Sequence, residues 1–178
     1  VTDVLARTDG PARARLLRRL DAPTHTAVTR LLTYPEGSAG SLMTTEFVSV
    51  PVDWTVAQTL RHIGTVERSR ETVYSIYVRD PASGVLLHAV PLRRLLSGDP
   101  GAAIGTLAPA HKPVTVTPGT DREDVARLIS KYNLLAVPVV DAAGHVAGIV
   151  TVDDVIDTMI AETTEDVQKL GGMEALNE

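Results

Sequence analysis

Carboxylates crowd the last part of the chain, where six of them fall between positions 153 and 166: Asp153, Asp154, Asp157, Glu162, Glu165 and Asp166. On a helix, residues three or four positions apart share a face. This spacing pairs Asp154 with Asp157 and groups Glu162 with Glu165 and Asp166. Like charges at this spacing repel by about 0.2–0.5 kcal/mol per pair. Mg²⁺ prefers oxygen ligands and keeps several waters, so a few carboxylates from two surfaces suffice to hold it. The pattern indicates either a magnesium site between two surfaces or an ordinary solvated acidic face.

The sequence lacks the residue patterns typical of zinc sites and of common enzymes. The five histidines form no His-x-x-x-His pair, and the absence of cysteine excludes disulfides and thiolate metal sites. The sequence has no Gly-x-Ser-x-Gly, no phosphate-binding Gly-rich loop with Lys and no His-Glu-x-x-His. We therefore expect neither a zinc site nor an enzyme.

Charge and hydropathy narrow the class of protein. The formal net charge of -5 argues against a nucleic-acid binder, which usually carries a basic stripe. No apolar run approaches the ~20 residues that a membrane-spanning helix needs. The chain begins at Val1 without a methionine and ends in a short polar tail. We expect it to be a cytosolic piece of a longer protein.

Residues 1–33 have the apolar spacing of two short helices, the second starting near Asp21. Residues 34–41 form a cluster of helix-breaking residues, where we place a domain boundary.

Beyond that boundary the chain repeats itself with a period of about 60 to 66 residues. Each repeat predicts a short strand (48–50, 114–116), a capped amphipathic helix, a Val-rich strand (73–78, 136–140), a turn, a return strand (85–90, 146–150) and a closing helix. The helix caps are Thr55 and Asp121, and the turns run over 80–84 and 141–144. The fold class is therefore α/β (α+β), with two β-α-β-β-α units that bury a sheet face against each other.

The second repeat resembles a CBS repeat, the module named after cystathionine β-synthase. The resemblance is carried by residues 137–141, Gly144 and residues 148–156, from Gly148 to Ile156. It covers residues 42 to 160 and implies a tandem CBS pair that binds adenine nucleotides or metal ions and regulates an attached module.

The flanking segments resemble a narrower family, the MgtE-type bacterial magnesium transporters. Residues 34–44 are similar to the entry into that family's CBS pair, and residues 162–171 to the helix that connects the pair with the pore. The resemblance implies residues 1–33 as the end of a helical N-terminal domain, 34–99 and 100–160 as two CBS repeats, and 161–178 as the start of the connecting helix. It also implies a homodimer on the cytoplasmic side of the bacterial inner membrane, attached to a transmembrane pore that bound Mg²⁺ holds closed.

The same resemblance implies a set of metal contacts: Asp154, Asp157, Glu162, Glu165, Asp166, Asn133 and the backbone carbonyl of Ser130. The family usually has Asp where this chain has Asn133. A neutral amide oxygen there should weaken that site or leave it to water.

A nucleotide site is implied less directly. CBS repeats bind ribose through the Asp of a Thr/Ser-x-x-Asp motif, since a carboxylate can accept two hydroxyl hydrogen bonds. The second repeat has this motif as Thr151 and Asp154, whereas the first has Arg94 at the Asp position and Ser75 at the position of the family's Tyr. Arg93 is retained and could attract a phosphate. We expect ATP or another adenine nucleotide to have lost its site in the first repeat, while the second motif serves either a nucleotide or magnesium.

Overall fold

The structure is a computed structural model and describes residues 10–66 and 73–156. The elements follow the predicted order except in the second unit, and the sequence did not predict the short helix Ala39–Leu42 or the 3₁₀ turn Ile104–Leu107. Their bounds are α1 Gly10–Leu17, α2 Ala22–Leu31, α3 Ala39–Leu42, β1 Val48–Pro51, α4 Val56–Val66, β2 Ser75–Arg79, β3 Leu86–Pro91, α5 Leu92–Leu96, a 3₁₀ turn Ile104–Leu107, α6 Arg122–Tyr132, β4 Ala136–Val140 and β5 Val146–Thr151. A further helix, α7, begins at residue 152 and occupies 152–156 of the described part. The two predicted N-terminal helices and the mixed α/β class are confirmed.

The first unit contains a three-stranded sheet in the order β1-β2-β3. Strands β1 and β2 run parallel, and β2 pairs antiparallel with β3, so that Ser75 lies opposite Pro91. The parallel pair needs a crossover, and α4 supplies it. Valines and isoleucines of all three strands pack with Val56 of α4 and Leu95 of α5 in one buried cluster. The predicted β-α-β-β-α order is confirmed for this unit.

The second unit is less regular than predicted. Its sheet has two strands, β4 and β5, paired antiparallel. The strand predicted over 114–116 is wrong as a regular strand, since only Val116 forms an isolated parallel bridge with Val139. Alternate residues of a strand donate toward the same neighbour, so after Val116, whose N–H donates to Pro138 O at 3.1 Å, the next donor toward β4 would be residue 118. Because Pro118 follows and has no N–H, the segment turns into α6 instead of continuing along the sheet.

The predicted helix caps and turns are present. Thr55 Oγ1 accepts the N–H of Gln58, whose side chain accepts the N–H of Thr55, which is a reciprocal capping box. Asp121 caps α6 by accepting the N–H of Glu123. In the turns, Gly84 and Gly144 have φ values of 75° and 85°, a region that favours glycine.

The leading segment of each unit packs into the other unit. Met43, which follows α3, is 2% exposed and belongs to the core of the second unit. Thr44 and Ile149 exchange two backbone hydrogen bonds of 2.9 Å. Conversely, Ile104 of the 3₁₀ turn is fully buried in the first core, and its N–H donates to Trp54 O at 2.8 Å. The segment at 34–41 therefore leads the chain into the second core before the first unit begins.

Within the described ranges, no helix combines the length and the apolar character that crossing a membrane requires.

Candidate metal and nucleotide sites

The Thr-x-x-Asp motif of the second unit lies where β5 ends and α7 begins. Thr151 Oγ1 donates to Asp154 Oδ2 at 2.6 Å, and the Thr151 backbone N–H points at the same oxygen from 3.4 Å. The contact with the backbone N–H is one half of a capping box, in which a side chain in the first helical turn accepts the backbone N–H of the residue that precedes the helix. The Asp154 carboxylate is half-buried and held in a defined orientation.

Two further predicted metal contacts lie at the carboxyl end of α6. Asn133 is exposed, has φ 49° and ψ 47°, and ends the helix with its backbone N–H directed at the carbonyls of Ile129 and Ser130. The Ser130 carbonyl accepts that N–H at 3.4 Å, which is long, so the oxygen keeps a lone pair for another partner. The last carbonyls of a helix carry partial negative charge, which favours a cation. Lys131 in the same turn opposes such binding.

The fold brings these two places to the same end of the second unit. Ala136, at the start of β4, pairs with Thr151, at the end of β5. The Val152 N–H donates to Leu135 O at 3.0 Å, which ties the start of α7 to the chain just after Asn133. Asp154, two residues after Val152, therefore lies at the same end of the second unit as Asn133.

The remaining acidic residues of the predicted set lie outside the described residues: Asp157, Glu162, Glu165 and Asp166. In residues 10–66 and 73–156, no three His, Asp or Glu side chains come together in a way that could hold a metal ion. The metal-ligand roles of Asp154, Asn133 and Ser130 stay a prediction.

The equivalent place in the first unit has different chemistry. Pro91 precedes α5 and provides no side-chain cap, and Arg94 Nη1 donates to the carbonyl oxygen of Leu107 at 3.1 Å. The guanidinium is therefore directed onto the 3₁₀ turn, where it stabilises the segment that enters the first core. Arg93 is exposed. Asp154 is thus matched by a donor, Arg94, and Thr151 by Pro91, so neither of these two side chains can accept a hydrogen bond from ribose.

An open groove of about 450 Å³ that the sequence did not predict runs along the outer face of α6. Its polar groups are largely engaged with one another: Arg127 pairs with Asp124 at 2.5 Å, and the Thr117 and Thr120 hydroxyls lie 3.1 Å apart. The groove is lined by Thr115, Val116, Thr117, Thr120, Asp124, Arg127, Leu128 and Lys131. No sequence motif marks it, because the groove forms only where residues 115–120 pass beside the helix.

The first unit has a mixed three-stranded sheet, and the second has an antiparallel pair of strands to which Val116 adds an isolated parallel bridge. Two such units, each with helices packed on its strands, define a tandem CBS pair. The CBS domain model matches residues 104–161, which cover the second unit.

The relatives define the family more narrowly. The chain is 42% identical over 169 residues to the magnesium transporter MgtE of Thermus thermophilus, and 35% identical over 153 residues to that of Bacillus subtilis. These matches cover 94% and 86% of this chain. The chain belongs to the MgtE family. It spans about a third of the length of these curated relatives, 37% and 34% respectively.

Solved structures agree with this placement. The soluble part of a magnesium transporter superimposes with a TM-score of 0.85 at 36% identity, covering 90% of this chain and 62% of that one. The cytosolic domain of the Mg²⁺ channel MgtE in complex with ATP superimposes with a TM-score of 0.83 at 41% identity, covering 88% and 64%.

Proposed function

We propose that this chain is the cytosolic regulatory region of a magnesium transporter and that it senses Mg²⁺ through its carboxylates. The observation that carries this proposal is the similarity to MgtE transporters over 94% of the chain. In this proposal the chain has no catalytic role, binds no nucleic acid and is attached to a transmembrane pore in the bacterial inner membrane. The residue ranges 1–33, 34–99, 100–160 and 161–178 correspond to the end of a helical domain, two CBS repeats and a connecting helix.

The proposed mechanism follows from repulsion between acidic surfaces. Mg²⁺ bound by Asp154, with oxygen atoms from the end of α6 and from the four more distal carboxylates, neutralises that repulsion and holds the surfaces together. Only the closed arrangement offers both sets of ligands, so the ion binds that state more tightly and shifts the population toward it. Two copies paired through their CBS units would transmit this closure to the pore.

The orientation of Asp154 supports its place in this mechanism. A carboxylate fixed by Thr151 loses less conformational entropy on binding an ion than a free side chain does. One carboxylate oxygen already accepts the Thr151 hydroxyl, so the ion would be bound through the remaining lone pairs or through water.

The test is the effect of Mg²⁺ on the stability of the 178-residue chain. We expect millimolar MgCl₂ to raise the melting temperature and the resistance to proteolysis, because a ligand that binds only the folded closed state stabilises it by RT ln(1 + [L]/Kd). Asp154→Asn keeps an oxygen that can accept the Thr151 hydroxyl while removing the charge, so it should fold normally and lose most of the Mg²⁺ effect. Asp153→Asn removes the same charge from the exposed neighbouring residue and serves as the matched control.

Sodium chloride at equal ionic strength provides the second control, since screening alone would act on all exposed carboxylates. Equal protection by both salts, or an unchanged Mg²⁺ effect in Asp154→Asn, would show that Asp154 holds no ion.

A second candidate function is an adenine-nucleotide sensor. It is favoured by the 2.6 Å Thr151–Asp154 pair and by the similarity to an MgtE cytosolic domain solved in complex with ATP. Stabilisation by AMP or ATP in the presence of EDTA, without stabilisation by MgCl₂ alone, would favour this alternative over magnesium sensing.

A further inference from the structure

Equivalent positions in the two units carry side chains of opposite charge. Pro91 ends β3 and Thr151 ends β5, each opposite the first residue of the preceding strand. Three residues further on, the first unit has Arg94 and the second has Asp154. Asp154 accepts the Thr151 hydroxyl at the start of its own helix. Arg94 instead donates to the carbonyl oxygen of Leu107, thirteen residues further along the chain, at 3.1 Å.

The Arg94–Leu107 bond lies where α5 and the 3₁₀ turn approach each other closely. Leu107 is the last residue of that turn, and the last carbonyl groups of a helical segment have no donor within it. A Cβ atom on Gly98, just after α5, would lie 2.7 Å from a Leu107 methyl group. Arg94 therefore supplies a donor that the turn itself lacks, at a place where the two segments already pack together.

The same bond closes a loop that covers the start of α4. We call residues 97–107, from the end of α5 to the end of the 3₁₀ turn, the bridging loop. Ala102 O accepts the N–H of Val56 at 2.9 Å. Pro100 O accepts the N–H of Ala57 at 3.0 Å. The first N–H groups of a helix have no partner within the helix, so the bridging loop caps α4 while Arg94 holds the end of the loop.

We propose that Arg94 is a latch that keeps the bridging loop closed on α4 without any ligand, so that the first unit keeps one conformation while the second unit responds to ligands. The guanidinium is always charged and is covalently part of the chain, so the closed loop does not depend on the concentration of an ion or a nucleotide. The responsive role of the second unit rests on the function proposed above, whereas the latch does not.

Hydrogen exchange of the Val56 and Ala57 amides reports on the latch, because both donate to the bridging loop and exchange when it opens. Arg94→Met keeps the aliphatic stem and the helix propensity of α5 but removes the donor. Without ligand, we expect both amides to exchange about three- to tenfold faster, the range for the net loss of one hydrogen bond. The Val52 amide, which donates to Arg79 O in the first sheet, is the reference for opening of the whole unit and should be unchanged.

Arg93→Met is the matched control, since it removes the same charge from the exposed neighbouring residue. In the absence of nucleotide, this variant should exchange like the wild type. Arg94→Lys keeps a charged donor with a shorter reach and should restore part of the protection. If Arg94→Met leaves the Val56 and Ala57 amides unchanged, or accelerates Val52 to the same extent, then Arg94 is not a latch.

Adding ligand to the wild-type chain tests the division between the two units. With millimolar MgCl₂, or with ATP in the presence of EDTA, the Val56 and Ala57 amides should be unchanged. The Val152 amide, which donates to Leu135 O at the start of α7, should gain protection. A change at Val56 or Ala57 with either ligand would overturn the division. Unchanged exchange at Val152 with both ligands would refute the proposed function, and the exchange in Arg94→Met would still decide whether the latch exists.

Discussion

Replacing Met43 by alanine tests whether the segment before the first unit is anchored in the core of the second. Met43 is 2% exposed and packs so closely on β5 that a Cβ atom on Gly148 would lie 2.7 Å from its sulfur. Truncating a buried Met to Ala costs about 2–5 kcal/mol, and a site walled by backbone collapses poorly, so we expect about 3 kcal/mol. In a domain of this size that loss lowers the melting temperature by about 6–12 °C.

The assay is thermal and urea unfolding of the 178-residue chain, with Met43→Leu as the volume-conserving control. Met43→Leu should lose less than about 1.5 kcal/mol. Met43→Ala would leave a cavity next to the Thr44–Ile149 hydrogen bonds. The substitution should therefore accelerate hydrogen exchange of the Ile149 amide more than that of the β2 amides. A loss below about 1 kcal/mol, with Ile149 exchange unchanged, would refute the anchoring of this segment in the second core.

Three further substitutions probe other features of the fold. Leu95→Ala should cost about 2–5 kcal/mol, whereas its neighbour Leu96, which is 69% exposed, should tolerate alanine within about 0.5 kcal/mol in the same urea titration. Gly144→Ala should destabilise the chain by at least about 1 kcal/mol in thermal unfolding, because the φ of Gly144 is 85°. Gly119→Ala should be close to neutral, since a Cβ atom added there would meet no neighbouring atom within 4 Å. The backbone N–H of His145 lowers the pKa of Asp141 in the folded chain, so the ionised carboxylate stabilises the fold above the pKa of the unfolded chain. That stabilisation is lost as the pH falls through the pKa of the folded chain. Between about pH 6 and about pH 3, the urea midpoint of Asp141→Asn should therefore fall less steeply than that of the wild type.

Local features of the fold were predictable from the sequence because their causes are local. The Thr55 and Asp121 caps act over three residues or fewer, and the two turns need an Asp and a Gly at fixed spacing. The failure at 114–116 is also local in cause. There Pro118 has no N–H to donate to β4 after Val116, and a pattern of apolar residues does not reveal a missing donor.

Non-local features were not predictable in this way. Nothing in the spacing of residues 39–44 or 102–107 states which core they enter, since periodicity reports a buried face but not its partner. The Arg94–Leu107 bond was missed for the same reason, although the family resemblance did indicate that Arg94 stands at the position of an Asp. For the candidate metal site, the family resemblance implied Asp154, Asn133 and Ser130, which lie at one end of the second unit, but their roles as ligands stay predictions. The roles of Asp157, Glu162, Glu165 and Asp166 stay predictions.

The reciprocal packing of Met43 and Ile104 makes the two repeats topologically interdependent. A cut between them leaves each half without a segment of its own interior, so neither half is a transplantable module. A large hinge opening between the repeats would have to withdraw both buried side chains at once. The closure proposed above should therefore leave this pair intact as a rigid body and act at its outer edges, where α7 and the flanking segments begin.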